Sequence, residues 1–293
     1  MIPSSLPSAY VERELERALG DVTGEDCPPG LAAAMHHAVF PGGARIRPRL
    51  CLAVAAGCGA KDLECAAAVG AAIELLHCAS LVHDDLPCFD DAAIRRGKPS
   101  VHRAYGEEIA VLAGDALIVT AFRAISGIPA KSLPQMPQLV AIVSDAVGAR
   151  GGLCAGQAWE CETEIDLGAY HRAKTGALFA AATEAGAIAA GAAATGWRAV
   201  GERLGEAFQV ADDLRDVAGA EDELGKPVGQ DAANGRPSAA LELGIEGAKA
   251  RLTGLVEDTV AAIPECPGRA WLSELIRHES RAFLPKRLAR AAA

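Results

Sequence analysis

The chain has 293 residues, enough for one large domain or two smaller ones with a sizeable buried core. Its formal net charge of −10 argues against a nucleic-acid-binding surface, which would show basic patches. Aromatic residues make up only 4% of a chain rich in alanine, and β-branched runs between turn signals are scarce. Composition therefore favours helices, and the lack of a linker or a break in charge favours one domain over residues 1–293.

Cysteine usage and the N-terminal residues bear on the compartment. The nine cysteines form no CxxC pair and no zinc-like grouping, so we expect reduced thiols that are mostly buried. The first residues lack a basic start followed by an apolar block, which predicts a cytoplasmic protein. The stretch from Gly176 to Trp197 could pass for a membrane span, but alanine and glycine supply most of its apolarity. We expect a buried helix there and no transmembrane segment.

Two acidic stretches stand out, and the first is HDDLPCFDD. Asp84, Asp85, Asp90 and Asp91 crowd four carboxylates together, so their repulsion would raise their pKa values unless a cation lay among them. An apolar helical run, AAAVGAAIELLHCASLV, leads into the stretch, and Pro87 then disrupts the helix. We therefore expect the acids at a helix end, around a divalent metal ion.

The second acidic stretch, FQVADDLRD, has a more regular spacing. Gln209, Asp212, Asp213 and Asp216 are spaced i, i+3, i+4, i+7, which on a helix of about 3.6 residues per turn lays them along one face. Either stretch alone could be a charged helix end. Together they indicate a site for Mg²⁺, the hard ion that carboxylates and phosphates share.

Basic residues accompany the acids. The segment PGGARIRPRL places Arg45, Arg47 and Arg49 after two glycines, a combination that suits a phosphate pocket. By itself it is more typical of a surface turn with solvated arginines. Arg95 and Arg96 follow the first acids within a few residues, which makes sense if metal-bound anionic oxygens lie between the acids and the bases.

The rest of the chain is predicted to form helices joined by loops. The helices are expected at three places: Ser8 to Leu19, Glu107 to Phe122, and from Leu241 onward. Asp115 would be a satisfied core acid of the second helix. The residues from Ser126 to Gln138, with three prolines, are predicted to be a connecting loop, and a later loop from Glu223 to Ala240 offers Lys226 as a further cation.

The recurrence of helix, acids and basic loop indicates a pseudo-symmetric bundle with a site between two facing helix ends. A diphosphate would fit between the acids and the bases, and a hydrocarbon would fit a small-residue interior. Metal ions and arginines act best where negative charge develops, here on a departing diphosphate. The sequence shows no Ser-His-Asp set, Walker loop or dinucleotide turn. What remains is ionisation of a carbon–oxygen bond and capture of the cation.

The motifs that carry this chemistry resemble those of the trans-isoprenyl diphosphate synthases, the polyprenyl synthetase family. GGARIRP, HCASLVHDDLPCFDDAAIRRGKPSVH, GQAWE, KTGALF, FQVADDLRD and LGKPVGQD occur in that family's order and at its spacing, nearly end to end. Within the family the chain is most similar to bacterial geranylgeranyl diphosphate synthases of carotenoid pathways. The resemblance implies an all-α, isoprenoid-synthase-type helical bundle around a deep central cavity, usually as a homodimer.

The same resemblance implies roles for individual residues. Six aspartates would hold three Mg²⁺ per active site on the allylic diphosphate: Asp84, Asp85, Asp90, Asp212, Asp213 and Asp216. Arg95, Lys174 and Lys226 match its direct cationic partners. The isopentenyl diphosphate site is matched by these residues: Gly43, Arg47, His77 and Arg96. Thr175 and Gln209 match residues that line the reacting carbons.

In the implied reaction, an allylic diphosphate (dimethylallyl, geranyl or farnesyl) ionises and the isopentenyl double bond attacks the cation. Ala79 stands where a bulky aromatic stops growth at fifteen carbons in related synthases, so we expect a twenty-carbon product, with Leu76 as part of the floor. The chain departs from the family at Ala44, where most members have lysine, and Arg45 or Arg49 would have to substitute. Alanines at 92 and 93 and an arginine at 236 are further departures, and none removes a metal ligand.

Other functions remain open at this point. A farnesyl diphosphate synthase would stop at fifteen carbons, and a non-catalytic subunit of a heteromeric synthase would share the fold without turnover. A class I terpene cyclase would share the ionisation chemistry, but such chains usually lack the second DDxxD and the isopentenyl site. A simple metal-binding helical protein would leave the paired basic loops unexplained.

Overall fold

The computed structural model describes residues 8–40, 43–164, 166–218 and 238–281. Helices account for nearly all regular structure in these ranges, which confirms the all-α prediction. They are α1 (Ser8–Gly20), α2 (Pro29–Val39), α3 (Ile46–Gly57), α4 (Glu64–Asp84), α5 (Val101–Tyr105), α6 (Glu107–Ser126), α7 (Met136–Val147), α8 (Leu153–Trp159), α9 (Leu167–His171), α10 (Ala177–Ala189), α11 (Trp197–Ala218), α12 (Ala239–Ala262) and α13 (Arg269–Arg281). A 3₁₀-helix (Ala130–Gln135) precedes α7, and a π-helical turn (Arg172–Gly176) joins α9 to α10.

Helix α4 forms the centre of the bundle and ends at the first acids. Its side chains are buried almost without exception, among α1, α3, α6 and α10, because the sequence is apolar around the whole circumference. The last helical bonds run from the amides of Asp85 and Leu86 to Leu81 and His83. Pro87 has no amide to continue the series, so the helix ends where the sequence predicted.

Helix α11 packs with its backbone in contact with α10 and with the π-helical turn that precedes α10. A Cβ atom on Gly201 would lie 2.4 Å from the Ala180 Cα, and one on Gly205 would lie 2.7 Å from the Gly176 Cα. Only glycine permits such an approach. Helix α10 is buried on nearly all sides, as predicted, but it ends at Ala189, and the chain turns before α11 begins.

Two predictions about local structure were wrong. Asp115 is not a core acid, because its side chain is 62% exposed, with the His83 ring nitrogen 3.8 Å away. The segment 126–138 is not a plain loop, because the 3₁₀-helix and the first turn of α7 occupy most of it and Pro137 fits the helix start. A short hairpin, β1 (Ile94–Arg95) and β2 (Lys98–Pro99), was also not foreseen.

The cysteines are less buried than predicted. All nine are free thiols, but only Cys51, Cys65 and Cys78 are buried, whereas Cys88 and Cys154 are among three that are exposed. The exposed thiols follow the first acids or lie on and after α8, away from the bundle core. The prediction that the cysteines are free thiols is therefore confirmed, and the prediction that most of them are buried is wrong.

Two helices in the described ranges are long and apolar enough to cross a membrane, α4 and α6. The apolar window of α4 is 83% buried inside the protein, as in a core helix. That of α6 is 44% buried, and Val111, Leu112 and Val119 are exposed on its outer face. The stretch singled out in the sequence is not among them, since α10 has only 13 residues.

Candidate active site

A cavity of about 250 Å³ lies between α3, α4, α8, α9, the π-helical turn and α11. Helix α4 lines it with His77, Ser80, Leu81 and Asp84, which lie three or four positions apart and therefore on one face. Helix α11 contributes Phe208, Gln209 and Asp212 from the other side. The two acidic stretches thus meet across one space, although they are far apart in the sequence.

Asp84, the last residue of α4, is held from two sides. The Gln157 Nε2 donates to its Oδ1 at 2.8 Å, and the Lys174 ammonium lies 4.0 Å from its Oδ2. Burial raises the pKa of Asp84, and Lys174 and Gln157 oppose that rise. The negative end of the helix dipole also disfavours a carboxylate here. A cation at this position would relieve both costs.

Asp85 is bound by the hairpin. The Arg95 Nε donates to both of its carboxylate oxygens, at 3.0 and 3.2 Å, and Arg95 Nη2 also contacts it. Burial raises the pKa of Asp85, and Arg95 counteracts it. The hairpin turn is Arg96–Gly97, both with positive φ (53° and 75°), as a two-residue turn between twisted strands requires. This turn lets one hairpin present two adjacent arginines beside Asp85, and all three residues line a pocket next to the cavity described above.

The loop after α4 returns to the helix end. The Asp90 amide donates to the Asp84 carbonyl at 2.9 Å, which brings the exposed Asp90 side chain back beside the first two acids. Asp91 adopts a left-handed φ of 45° and is bound by Arg103 at 2.9 Å, with the buried His102 ring 3.6 Å away. His102 and Arg103 thereby fix the far end of the acidic loop.

The second acidic stretch is organised by a chain of hydrogen bonds. The Thr175 hydroxyl donates to the Gln209 Oε1 at 3.0 Å, and the Gln209 Nε2 donates to the Asp213 Oδ1 at 3.0 Å. The Ala239 amide donates to the other Asp213 oxygen at 2.8 Å. Burial raises the pKa of Asp213, against these donors. The amide plane of Gln209 is therefore fixed by partners on both sides.

The four residues of the second stretch do not all face the same cavity. Gln209 and Asp212 line the cavity already described, and Asp212 lies 3.2 Å from Arg215. Gln209 and Asp213 line a second cavity of about 610 Å³ beside α12. Asp216 is buried one turn further along. The helical spacing predicted that these residues share one face, and in the structure that face lies between the two cavities.

Lys174 and Thr175 lie on the π-helical turn, a feature that often marks functional sites. The Lys174 ammonium donates to the Glu160 Oε1 at 2.6 Å, and the Tyr170 hydroxyl donates to the same oxygen at 2.5 Å. A Cβ on Gly156 would lie 2.5 Å from the Lys174 backbone nitrogen, so α8 packs directly on the turn. Lys174 is held between Glu160 and Asp84 by this packing.

The predicted isopentenyl diphosphate residues form a basic group beside the acids. Arg47 lies in the first turn of α3 with its guanidinium 4.9 Å from the centre of the Phe179 ring. Arg96 lies against Gly43, where an added Cβ would be 3.2 Å from the guanidinium. Burial and the neighbouring arginines hold the pKa of His77 well below its ordinary value. The imidazole is therefore neutral and can donate or accept a hydrogen bond without adding repulsion.

Neither Arg45 nor Arg49 fills the place of the missing lysine, which corrects the sequence-based expectation. Arg45 is buried and binds Glu12, Glu74 and a backbone carbonyl. Arg49 donates to Glu279 at 2.7 Å on the side facing α13. Ala44 itself is exposed. Neither arginine is therefore placed to substitute for the lysine that the resemblance implies at position 44.

The remaining predicted residues lie apart from this geometry. Leu76 and Ala79 are buried in the core, at 3% and 1% exposure, and neither is among the residues that line the cavity. Lys226 lies outside the described residues. The chain-length assignment thus stays a prediction.

Sequence reasoning did not assign three residues that hold the site together. Gln157 binds Asp84, Glu160 binds Lys174, and His102 contacts Asp91. The first two lie in the motif GQAWE, which was noted without roles for its members. His102 is the last residue of the motif HCASLVHDDLPCFDDAAIRRGKPSVH, which was likewise noted without a role for it. Their partners come from other helices, so only the fold reveals the pairs.

The donor set fits magnesium bound together with a phosphate. Within the ranges that the structure describes, no three His, Cys, Asp or Glu side chains converge on one point as a complete metal cage. Mg²⁺ commonly uses one or two carboxylates and takes its other ligands from substrate phosphate and water. Asp84 and Asp212 on one cavity, with hard oxygen donors and nearby cations for an anion, match that mode.

Comparison with known proteins agrees with the geometry. The polyprenyl synthetase family model matches residues 28–268. The chain is 51% identical over 279 residues to the geranylgeranyl diphosphate synthase of Cereibacter sphaeroides, covering 95% of this chain and 97% of that protein. It is 39% identical over 258 residues to the farnesyl diphosphate synthase of Geobacillus stearothermophilus, covering 84% and 85%. A Helicobacter pylori geranyltransferase, solved in complex with magnesium and isoprenyl diphosphate, matches with a TM-score of 0.77 at 32% identity, covering 94% and 98%.

The helical bundle and its cavity define an enzyme of the isoprenoid synthase class. In this chain the two acidic stretches lie at the ends of α4 and α11 and meet at one cavity. The chain belongs to the polyprenyl synthetase family, which confirms the resemblance seen in its motifs. It is a prenyltransferase of a magnesium-dependent family that condenses prenyl diphosphates.

Proposed function

We propose that the protein condenses isopentenyl diphosphate head to tail with dimethylallyl, geranyl and farnesyl diphosphates and stops at the twenty-carbon geranylgeranyl diphosphate. One observation carries this proposal. Asp84, Asp212, Lys174 and Arg47 line the same cavity, so carboxylates that suit a metal ion and cations that suit a diphosphate surround one space. The greater identity to a geranylgeranyl synthase, 51% against 39% for a farnesyl synthase, favours twenty carbons over fifteen.

The acidic side would bind the allylic substrate. Asp84, Asp85 and Asp90 from one helix end, with Asp212, Asp213 and Asp216 from the other, would hold three Mg²⁺. When bound, Mg²⁺ would neutralise the charge that develops on the departing diphosphate. Arg95 and Lys174, with Lys226, would bind the same diphosphate directly. Because Arg95 and Lys174 already contact Asp85 and Asp84, they can pass from carboxylate to phosphate oxygen with little movement.

The basic side would bind isopentenyl diphosphate. Arg47 and Arg96 would bind its oxygens, and Gly43 would let them approach the backbone. The neutral His77 would add a directed hydrogen bond. Thr175 and Gln209 would line the reacting carbons, with the Gln209 amide held fixed between its partners. No side chain need act as general base, since the departing diphosphate can take the proton lost after the double bond attacks.

Product length would be set along α4. At a rise of about 1.5 Å per residue, Ala79 lies roughly 7.5 Å and Leu76 roughly 12 Å back from Asp84 along the axis. The small Ala79 leaves room for a further five-carbon unit where an aromatic residue would end growth. Leu76 would contribute to the floor of the space.

We also propose that the enzyme acts in the cytoplasm as a homodimer. Val111, Leu112 and Val119 expose apolar side chains along the outer face of α6, and Val119 is 69% exposed. A second copy would remove this surface from water. Sedimentation of wild type and Val119→Glu should show a dimer and a weakened dimer, whereas a monomeric wild type would exclude the assembly.

Incubation of the full-length protein with Mg²⁺, isopentenyl diphosphate and each allylic primer tests the proposed function. We expect geranylgeranyl diphosphate as the end product by chromatography, and no product when the metal is chelated. A chain that stops at fifteen carbons would support a farnesyl synthase instead. No product from any primer would support a non-catalytic subunit.

A further inference from the structure

A buried ion pair lies directly behind the basic group of the site. The Arg45 side chain is 2% exposed, and its Nη1 donates to the Glu74 Oε1 at 2.9 Å, on a side chain that is also 2% exposed. Its Nε and Nη2 donate to the two Glu12 oxygens at 2.7 and 3.1 Å, and Nη2 donates to the Val39 carbonyl at 2.7 Å. The guanidinium is therefore fully engaged inside the protein, where it cannot reach a ligand.

The backbone at Arg45 shows what these bonds hold in place. Arg45 has φ 49° and ψ 38°, the left-handed conformation, immediately before the first turn of α3. A non-glycine residue adopts this conformation at a cost, and it persists only where the surroundings fix it. Gly43 lies two positions before this residue and Arg47 two positions after it. The strained residue thus sets the direction of the segment that carries both ligand-binding positions.

The other partner connects this segment to the opposite side of the same group. Glu74 lies on α4 three positions before His77, so the two residues are one turn apart on the same side of the helix. Burial lowers the pKa of Arg47, and the negative charge of Glu74 opposes that change. One ion pair therefore joins the segment of Arg47 to the helix of His77 and supports their electrostatics.

We propose that Arg45 and Glu74 are positioning residues for the isopentenyl diphosphate site, which fix Arg47 and Gly43 relative to His77. This inference rests on the proposed function. Neither residue touches the substrate. The pair acts by holding the spacing between two ligand-binding segments, so its loss should weaken isopentenyl diphosphate binding more than it affects the allylic substrate.

Removal of one partner alone would leave a buried charge without its counterion and would destabilise the protein for that reason. The double variant Arg45→Met/Glu74→Met avoids this problem, because replacing both charges with apolar side chains of similar volume is often neutral for stability. Glu12 keeps access to solvent, since its side chain is 34% exposed. The double variant therefore separates positioning from stability.

We expect this double variant to melt near the wild-type temperature and to raise KM for isopentenyl diphosphate by about tenfold or more, with less than about threefold change in KM for farnesyl diphosphate. The matched control is Arg277→Met/Glu257→Met, which removes a surface ion pair between α12 and α13. The control should leave both constants unchanged.

Arg45→Lys carries the test if the double variant does not fold. It keeps the charge but loses the planar fork that binds two carboxylates and a carbonyl together, so KM for isopentenyl diphosphate should rise here too. A folded double variant, or a folded Arg45→Lys, with wild-type KM for isopentenyl diphosphate would overturn the proposal. A wild-type protein that neither binds nor condenses isopentenyl diphosphate would overturn the proposed function itself, and the positioning role with it.

Discussion

The acidic and basic sides of the site are prepared for their ligands in different ways. On the acidic side, Asp84, Asp85 and Asp213 already have hydrogen-bond donors from the protein. On the basic side, the buried Nε of Arg47 and the buried Nη1 of Arg96 have no hydrogen-bond partner within the described residues. These three acids are satisfied in the free protein, whereas Arg47 and Arg96 keep donors that an anion could take.

This difference has an energetic meaning. A buried N–H without a partner costs about 1–3 kcal/mol, which an anion bound at that position would recover. The basic side is therefore formed in advance of its ligand. A metal ion on the acidic side would have to replace hydrogen bonds that Gln157, Arg95 or Gln209 donates to the carboxylates. Its binding free energy should be most favourable when a diphosphate is also present, because the diphosphate can then bind the displaced cationic side chains. We expect anion binding without metal, and tight metal binding only with substrate.

The largest effect should come from neutralising one acid of either stretch. Asp84→Asn or Asp212→Asn deletes a proposed metal ligand while leaving the packing intact, so turnover should fall by orders of magnitude. Stability of the metal-free protein should hold or rise, because a buried or crowded carboxylate is lost. Steady-state kinetics at saturating Mg²⁺ and melting curves check both parts. Near-normal turnover in either variant would mean that the metal assignment is wrong.

The hydrocarbon end should respond independently of both charged sides. Ala79→Tyr should shift the product from twenty towards fifteen carbons while leaving the KM values for both diphosphates near wild type. Since Ala79 is buried, the tyrosine should also cost about 1–3 kcal/mol of stability through overpacking.

Ala68→Tyr controls for overpacking alone, because Ala68 is as buried on the same helix but lies three turns further from the acids. Product chromatography beside melting curves separates the two effects. A stable Ala79→Tyr protein that still makes mainly the twenty-carbon chain would refute the assignment of the cavity wall.

Inorganic diphosphate without metal tests the prepared basic side directly. At a concentration of about 100 Kd it should stabilise the wild-type protein by roughly 2.7 kcal/mol, a rise of several degrees in Tm. Arg96→Met should lose most of that rise, because it removes one of the reserved donors. Equal stabilisation of both proteins in chelator-treated buffer would show that the anion binds elsewhere, and the contrast between the two sides would fail.

The smallest effect should come from supplying the cation that the basic side lacks. Ala44→Lys should lower KM for isopentenyl diphosphate. The gain in binding free energy should not exceed that of one charge-assisted hydrogen bond, about 1.5–3 kcal/mol. Arg45 and Arg49 bind Glu74 and Glu279, so neither already fills this place. Ala44→Gln, which has a polar side chain without the charge, is the matched control. An unchanged KM would mean that the arginines and His77 already supply all the hydrogen bonds that the diphosphate accepts.

The sequence predicted those parts of the fold that depend on local patterns. Pro87 marked the end of α4, and the spacing of Gln209 and Asp213 predicted a shared helix face, on which the structure shows a hydrogen bond between them. The shared cavity followed from taking the two acidic stretches together, since either stretch alone could have been a charged helix end.

Features that depend on backbone direction or on distant partners could not be predicted. Arg45, Arg47 and Arg49 alternate in the sequence and look equivalent, yet the left-handed backbone at Arg45 sends the three side chains to different partners. Asp115 was predicted to be a core acid because its helix was expected to be buried on all sides, whereas one face of α6 is exposed to solvent. Only tertiary packing distinguishes these cases.

The glycine contacts between α10 and α11 carry a consequence for engineering the reaction space. The Thr175–Gln209 hydrogen bond joins the π-helical turn before α10 to α11. The separation of these elements is small because Gly201 and Gly205 have no side chains. A methyl group added at Gly205 would push the packed elements apart and move the Thr175 hydroxyl away from the Gln209 amide. The position of Thr175 relative to Gln209 is thus adjustable from Gly205, where added bulk would increase the distance between the packed elements instead of filling the space between them.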